Sequence, residues 1–156
     1  MITLVAALQL RIMAAKKGAE ISIRRIPALD AVDEALGRAT EMGRPVHFSS
    51  GVGDISTSGA PQMLAGLEIL SHVAQETAKL DAKLIVTVAY PTTFAVTEDV
   101  VRNSYTLAGR PDSFSPDMIR FLSPNQWAYA GGVVGIINRE KVASNIIIGG
   151  YAAEAL

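Results

Sequence analysis

The sequence predicts a three-layer, Rossmann-like α/β sandwich built on a mainly parallel sheet of about four strands. Short runs suited to buried strands alternate with stretches suited to helices, and these runs are Pro45–Phe48, Leu84–Ala89, Met118–Leu122 and Asn145–Ile148. Strands that alternate with helices pair in parallel through right-handed crossovers. Each run stops at small or polar residues. The four stops are therefore expected along one edge of the sheet, where ligands bind in open sheets of this kind.

Leu84–Ala89 is the clearest strand, because its apolar character is broken only by Thr87, as is typical of burial on both faces of a parallel sheet. Helices are predicted between the strands from apolar residues at helical spacing and from glycine and proline at their ends. The expected helices are Ala28–Met42 capped by Gly43, a second beginning after Ser58 or Gly59, a third from about Thr97 to Gly109, and a fourth after Ser123.

Residues 125–148 allow two interpretations. A capping-box pattern over Ser123–Gln126, with proline at the first helical position, predicts a helix. Three glycines follow within residues 131–135, and each disfavours a helix by about 0.5–1 kcal/mol relative to alanine. The rival is a hairpin of Val133–Ile137 and Val142–Ile148. We prefer the helix.

Length and composition limit the class of protein. A chain of 156 residues suits one α/β domain, taken as residues 19–156. With 49% hydrophobic residues and 19% charged, it is more apolar than a typical soluble domain. The net charge of −1 gives no attraction to nucleic acid, and the absence of cysteine excludes disulfides, zinc-thiolate sites and a cysteine nucleophile. Tyr151–Leu156 resembles a helix cut off within its first turns, so a truncated C-terminus is expected.

Residues 1–18 form an apolar N-terminal segment that we interpret as the end of a membrane anchor. Met1–Met13 is mostly apolar but is shorter than the roughly 20 residues that span a bilayer. Lys16 and Lys17 follow it, as expected at a cytoplasmic flank. A helix that packs on a soluble protein would show the same pattern. The anchor interpretation predicts a membrane-associated protein whose domain lies on the cytoplasmic side.

The loop Ser49–Gly59 is the strongest candidate for a ligand site, although glycine and serine also serve in ordinary turns. Its backbone amides could hold a phosphate or carboxylate. Gly51-x-Gly53-x-x-Ser56 lacks the third glycine of the dinucleotide fingerprint, and no P-loop motif is present, so the cofactor is left unknown. The candidates for binding a small anionic ligand, taken from all four strand ends, are Ser49, Ser50, Gly51, Gly53, Asp54, Tyr90, Thr92, Ser123, Asn125, Gly149 and Gly150.

No catalytic residue and no metal site is predicted. His47 lies within an apolar strand, which is typical of a hydrogen-bonded core residue. Asp54 is the acid nearest a strand end, but acid–base catalysis needs a second titratable group, and the sequence does not choose among Tyr90, Tyr151 and His47. No histidine spacing typical of a metal site and no Gly-x-Ser-x-Gly elbow occurs.

From Arg44 onward the sequence contains, in order, Arg-Pro-Val-His-Phe, Gly-x-Gly-Asp-Ile, Leu-Ile-Val, Ala-Gly-Arg-Pro-Asp, Arg-Phe-Leu-Ser, Ala-Gly-Gly-Val and Ala-Glu-Ala-Leu. In this set the chain resembles, over about Pro27–Leu156, an uncharacterised prokaryotic family of membrane-anchored proteins. In that domain of unknown function a cytosolic α/β domain sits between hydrophobic segments. The resemblance implies the anchor and the truncated end, and it implies no reaction, ligand or site residue.

These patterns favour a non-catalytic ligand-binding or assembly module at the cytoplasmic face of a membrane. The alternative is an enzyme that acts on a phosphorylated or nucleotide-like small molecule at the same edge of the sheet. If the apolar N-terminal segment does not enter a membrane, it is expected to pack on the domain or on a second subunit. Packing on a second subunit would make the protein a homo-oligomer.

Overall fold

The computed structural model describes residues 27–56 and 59–151. Its centre is a four-stranded sheet in which every neighbouring pair is parallel, in the order β3-β2-β1-β4. The strands are β1 (Val46–Gly51), β2 (Leu84–Val88), β3 (Ile119–Phe121) and β4 (Ser144–Gly150). The predicted α/β class, the parallel sheet and the four strand positions are confirmed.

Helices cover both faces of the sheet, which gives the predicted three layers. α2, α3 and α4 each connect one parallel strand to the next, a connection that is right-handed in nearly all proteins, and α1 precedes β1. The helices are α1 (Pro27–Glu41), α2 (Ala60–Lys79), α3 (Pro91–Leu107) and α4 (Gln126–Glu140), with 3₁₀ turns at Pro111–Ser113 and Pro116–Met118. The first three helices pack on one face in a single apolar core, and α4 packs on the other.

The two faces of the central strands differ in chemistry. On the face covered by α1, α2 and α3, Val46 and Phe48 of β1 are fully buried beside apolar residues of β2. On the α4 face, β1 places His47 and Ser49, which are also buried. A strand has a side-chain period of two, so one strand supplies an apolar core on one side and polar groups on the other. Those polar groups need partners within the protein.

The strand order reverses between β1 and β4. From β1 the chain steps through β2 to β3 in one direction, and α4 then returns it to the other side of β1. In open α/β sheets, ligands bind at such a switch point, in the crevice beyond the carboxyl ends of the two strands.

Two of the differences between predicted and observed element limits bear on the site, and β4 also continues through the predicted stop at Gly149 and Gly150. β1 continues through Ser49, Ser50 and Gly51, because Ser49 and Gly51 pair with β4, with a shift of register between them, instead of entering a loop. The third helix begins at Pro91, not near Thr97, and uses proline in its first turn. The longer β1 and the earlier start of α3 both place regular structure closer to the edge of the sheet where the strands end.

Residues 125–148 form the predicted helix followed by a strand, and the hairpin alternative is wrong. The capping box is also wrong in detail, because Asn125 is the N-cap of α4. Its Oδ1 accepts hydrogen bonds from the N–H groups of Trp127 and Ala128, both at 3.1 Å. Ser123 instead accepts a hydrogen bond from the N–H of Asn125 at 3.2 Å. An asparagine nearer the helix therefore displaces serine as the cap.

Both predicted terminal segments lie mostly outside the described residues. The predicted helix over Tyr151–Leu156 is described only at Tyr151, which is not helical. The anchor interpretation concerns residues 1–18, which lie outside the described part of the chain. Within the described part, none of the helices combines the length and the apolar character that a membrane span requires.

Candidate functional site

A cleft of about 340 Å³ lies beyond the carboxyl ends of β1 and β4, at the reversal of strand order. The described residues that line it come from the loop after β1, the start of α3, the start of α4 and the end of β4. They are Val52, Gly53, Asp54, Gly59, Tyr90, Gln126, Gly150 and Tyr151. The cleft has the size and position expected of a small-molecule site in this fold.

Glycine is required where β1 and β4 approach each other beneath the cleft. Gly51 has φ +80°, and a Cβ added to it would lie 2.3 Å from the carbonyl oxygen of Gly150. Gly149 has φ +150°, and its added Cβ would lie 2.0 Å from the carbonyl oxygen of Ser50. No side chain fits at either distance, and L-residues disfavour these backbone conformations. The two strands can therefore end in close contact only with glycine at these positions.

Asp54 fastens the loop after β1 to the start of α3. Its Oδ1 accepts hydrogen bonds from the N–H of Ser56 at 3.0 Å and from the hydroxyl of Thr92 at 2.9 Å, and Oδ2 accepts from the Ser56 hydroxyl at 2.8 Å. The Ser56 N–H, the Ser56 hydroxyl and the Thr92 hydroxyl hold the pKa of Asp54 below its ordinary value. Asp54 is therefore an ionised group that positions the wall of the cleft.

The helix starts near the cleft are capped differently. α2 has Gly59 as N-cap and α3 has Tyr90, and neither residue caps its helix with a side chain. The carboxylate of Asp54, from the loop after β1, accepts a hydrogen bond from the side chain of Thr92 in the first turn of α3. A negative charge at this position is favourable for the helix dipole.

A buried chain of hydrogen bonds runs beneath the cleft on the α4 face of the sheet. His47 lies at its centre, with Nδ1 2.6 Å from Oδ1 of Asn145 and Nε2 3.0 Å from Oγ1 of Thr87. Because an amide oxygen only accepts, Nδ1 carries the proton and Nε2 accepts from the threonine hydroxyl. Burial lowers the pKa of His47, against the opposing effect of Asn145, so the imidazole is neutral at pH 7. The predicted role of His47 as a hydrogen-bonded core residue is confirmed.

The side chain of Tyr129, from α4, extends this series of hydrogen bonds from Thr87 to Ser49. Its hydroxyl donates to the carbonyl oxygen of Thr87 at 3.1 Å and lies 2.9 Å from Oγ1 of the same residue. It also lies 2.7 Å from Oγ of Ser49. The carbonyl oxygen of Ser49 in turn accepts a hydrogen bond from the hydroxyl of Tyr151, which lines the cleft. The wall at Tyr151 is thus connected to the packed interior.

The sequence-based candidates fall into three groups. Gly53, Asp54, Tyr90 and Gly150 line the cleft. The second group supports its walls: Thr92 bonds to Asp54, Ser49 bonds to Tyr129, and Gly51 and Gly149 form the close contact of the strand ends. The third group lies apart from it, with Ser123 and Asn125 in the cap of α4 and Ser50 facing α2, where a Cβ at Gly66 would lie 3.8 Å from Cβ of Ser50.

Sequence reasoning did not include Val52, Gly59, Gln126 and Tyr151 among the binding candidates. Tyr151 directly follows the end of β4, so its position was available from the strand-end rule. Gln126 lines the cleft because α4 starts at this edge, which becomes visible only once the helix start is placed at Asn125. Among the residues that the structure describes, no three His, Asp or Glu side chains are grouped so as to hold a metal ion.

The fold and the cleft define a Rossmann-like α/β domain with a candidate small-molecule site at its topological switch point. The chain belongs to the family described as Domain of unknown function (DUF6754), whose model matches residues 1–156. Comparison with curated proteins and with solved structures finds no match.

The hydrogen-bond chain predicts opposite behaviour for two buried tyrosines. Tyr129→Phe removes a hydroxyl that contacts Ser49 and Thr87, and we expect the free energy of unfolding to fall by about 1–3 kcal/mol. Tyr105→Phe is the matched control, because the Tyr105 hydroxyl is buried without a hydrogen-bond partner among the described residues. Burial, followed by the nearby charge of Asp81, raises the pKa of Tyr105 to about 12. Removal of the Tyr105 hydroxyl should change the free energy of unfolding by less than about 0.5 kcal/mol or increase it.

Urea unfolding of both variants and the parent chain measures this difference. Equal effects of the two substitutions would contradict a stabilising role for the hydrogen bonds of the Tyr129 hydroxyl.

Proposed function

We propose that the domain is a non-catalytic module that binds a small polar molecule in the cleft between the ends of β1 and β4. The observation that carries this proposal is the position of the cleft at the reversal of strand order, with walls fastened by Asp54 and Tyr151. Sites of this kind are largely formed before the ligand arrives. A fastened cleft limits the entropy that is lost on binding.

The ionisable groups near the cleft support binding over catalysis. Asp54 is the only carboxylate among the described lining residues, and its oxygens accept hydrogen bonds from the loop and from α3. Its lowered pKa makes it a weak base. His47 is buried beneath the floor and bonded on both ring nitrogens. A pair of groups poised to pass a proton to one substrate is not present among these residues.

A second proposal concerns attachment: residues 1–18 hold the domain at the cytoplasmic face of a membrane. The support is the apolar run Met1–Met13 followed by Lys16 and Lys17. The end of α1 leads into the start of β1, so the start of α1 lies toward the opposite edge, which carries the cleft. The start of α1 at Pro27 therefore lies on the side of the proposed ligand site.

The outward face of α4 supports a further role in assembly with a second copy of the chain. Trp127 and Val134 are 73% and 56% exposed, and no charged residue occurs from Gln126 to Asn138. The outer side of α3, in contrast, carries Asp99 and Arg102. A helix that is apolar on all sides is normally covered. Self-association through this face would bury the exposed tryptophan.

Ligand binding is tested by the melting temperature of the chain with a chemically varied set of metabolite-sized compounds. A ligand at 100 times its dissociation constant adds about 2.7 kcal/mol of stability, so binding raises the melting temperature. Tyr90→Ala should abolish the shift, and Leu107→Ala, at the exposed end of α3, should leave it unchanged. A shift that survives Tyr90→Ala and Tyr151→Ala would place the site elsewhere. A bound compound recovered in altered form would favour the alternative, an enzyme acting on phosphorylated or nucleotide-like molecules.

Membrane attachment is tested by flotation with liposomes. The full chain should float with vesicles that contain anionic lipid, and a chain that begins at residue 19 should remain at the bottom of the gradient. Replacing Lys16 and Lys17 with glutamine should weaken flotation. Equal flotation of the full and shortened chains would contradict the proposed anchor.

Self-association is tested by light scattering after size-exclusion chromatography, in detergent if the full chain requires it. Trp127→Glu should reduce the molar mass to that of one chain, because it places a charge in the proposed interface. Leu107→Glu is the control, since Leu107 is 68% exposed at the other end of the molecule and should not affect association. A parent chain that is monomeric at all concentrations would exclude this role for α4.

A further inference from the structure

We infer that a second pocket, at the opposite edge of the sheet from the cleft, binds a small neutral molecule with an apolar body and a carbonyl or hydroxyl oxygen that accepts a hydrogen bond from Tyr105. The pocket has a volume of about 230 Å³ and lies at the amino ends of β2 and β3. Its described lining comes from the ends of α2 and α3, the loop before β2 and the two 3₁₀ turns before β3. This site does not depend on the ligand-binding role proposed for the cleft.

The hydroxyl of Tyr105 is the first reason. Tyr105 lines the pocket and is 1% exposed, and its hydroxyl has no hydrogen-bond partner among the described residues. Thr77, the other buried hydroxyl of the lining, already donates to the carbonyl oxygen of Val73 at 2.5 Å. Burial, followed by the charge of Asp81 in the same lining, raises the pKa of Tyr105 to about 12, so the phenol is neutral at pH 7 and can donate. Buried polar groups are nearly always hydrogen-bonded, and an exception beside a pocket points to a partner from outside the chain.

The apolar part of the lining is the second reason. Ala78, Ala82 and Met118 contribute apolar surface around Tyr105, and the flexible methionine can adapt to the shape of a ligand. An apolar cavity of about 150 Å³ is large enough to hold benzene. The pocket therefore has room for a ring with one polar substituent. An apolar wall with a few polar groups that fix orientation is typical of small-molecule sites.

The pairing of the charged groups is the third reason. Asp81 accepts a hydrogen bond from the guanidinium of Arg110, which also donates to Oγ of Ser113 at 3.4 Å. Arg110 thereby joins the loop before β2 to the turn after α3. The other charged residue of the described lining, Lys83, has its Nζ 3.4 Å from a carboxylate oxygen of Glu140. A charged ligand would compete with these ion pairs, whereas a neutral ligand leaves both intact.

The test uses five probes that share one aromatic ring and differ in its substituent. Benzamide and benzyl alcohol are neutral and carry an oxygen that accepts a hydrogen bond, toluene carries none, and benzoate and benzylammonium are charged. An NMR titration of the isotope-labelled full chain measures each affinity and shows which backbone amides shift. We expect benzamide or benzyl alcohol to bind about tenfold more tightly than toluene and than either charged probe, with shifts at Ala82 and Ser113.

Tyr105→Phe should weaken binding of the neutral probe about tenfold, because it removes the donor and keeps the ring. Tyr90→Phe is the matched control: it makes the same chemical change in the cleft at the opposite edge of the sheet and should leave the affinity of this pocket unchanged. Ala82→Leu fills the pocket and should abolish binding while the Tyr105 hydroxyl remains. The melting temperature of each variant establishes that it folds.

Equal affinities for toluene and benzamide, or an unchanged affinity in Tyr105→Phe, would overturn the role of the hydroxyl. Tighter binding of benzoate or benzylammonium would overturn the neutral class. Shifts confined to residues around the cleft would place the bound probe there and overturn the second site. If none of the five probes binds, water alone serves the hydroxyl and the inference fails, while the ligand-binding role of the cleft stands or falls by its own test.

Discussion

The hydroxyl of Tyr129 is the contact on which the α4 side of the structure depends. β1 carries His47 and Ser49 on this face, within the most buried part of the sheet. An unpaired polar group in such a place costs about 1–3 kcal/mol. Tyr129 lies within hydrogen-bonding distance of both Ser49 and Thr87, and Thr87 in turn bonds to His47. A shift of α4 along the sheet would break these contacts together, so the polar face of β1 determines where the helix lies.

The same contacts give the cleft a fixed floor. Tyr151 bonds to the backbone of Ser49, which the hydroxyl of Tyr129 holds from below. On the opposite wall, Asp54 joins the loop after β1 to Thr92 of α3. The end of β4 is therefore joined to β1 through Tyr151, and the loop after β1 is joined to α3 through Asp54. A cleft built in this way is formed before any ligand arrives, as small-molecule sites usually are.

Local sequence patterns predicted the elements and missed several of their ends for identifiable reasons. Apolar runs are sufficient to locate the strands, because parallel central strands are buried on both faces. The polar residues of β1 after Phe48 resemble a loop, and only pairing with distant strands, Ser49 with β2 and β4 and Gly51 with β4, makes them a strand. The start of α3 was placed near Thr97 although Pro91 offered the stronger local signal. Asn125 outranks Ser123 as a cap because it lies next to the helix.

The location of the site followed from the sequence more readily than its chemistry did. Gly53, Asp54, Tyr90 and Gly150 could be proposed from the rule that ligands bind at strand ends. The glycine-rich loop suggested an anion, because unsatisfied backbone amides attract negative charge. The structure shows that Asp54 of this loop instead accepts a hydrogen bond from the side chain of Thr92 in the first turn of α3. This contact joins residues 38 positions apart in the chain, so the local sequence of the loop could not show it.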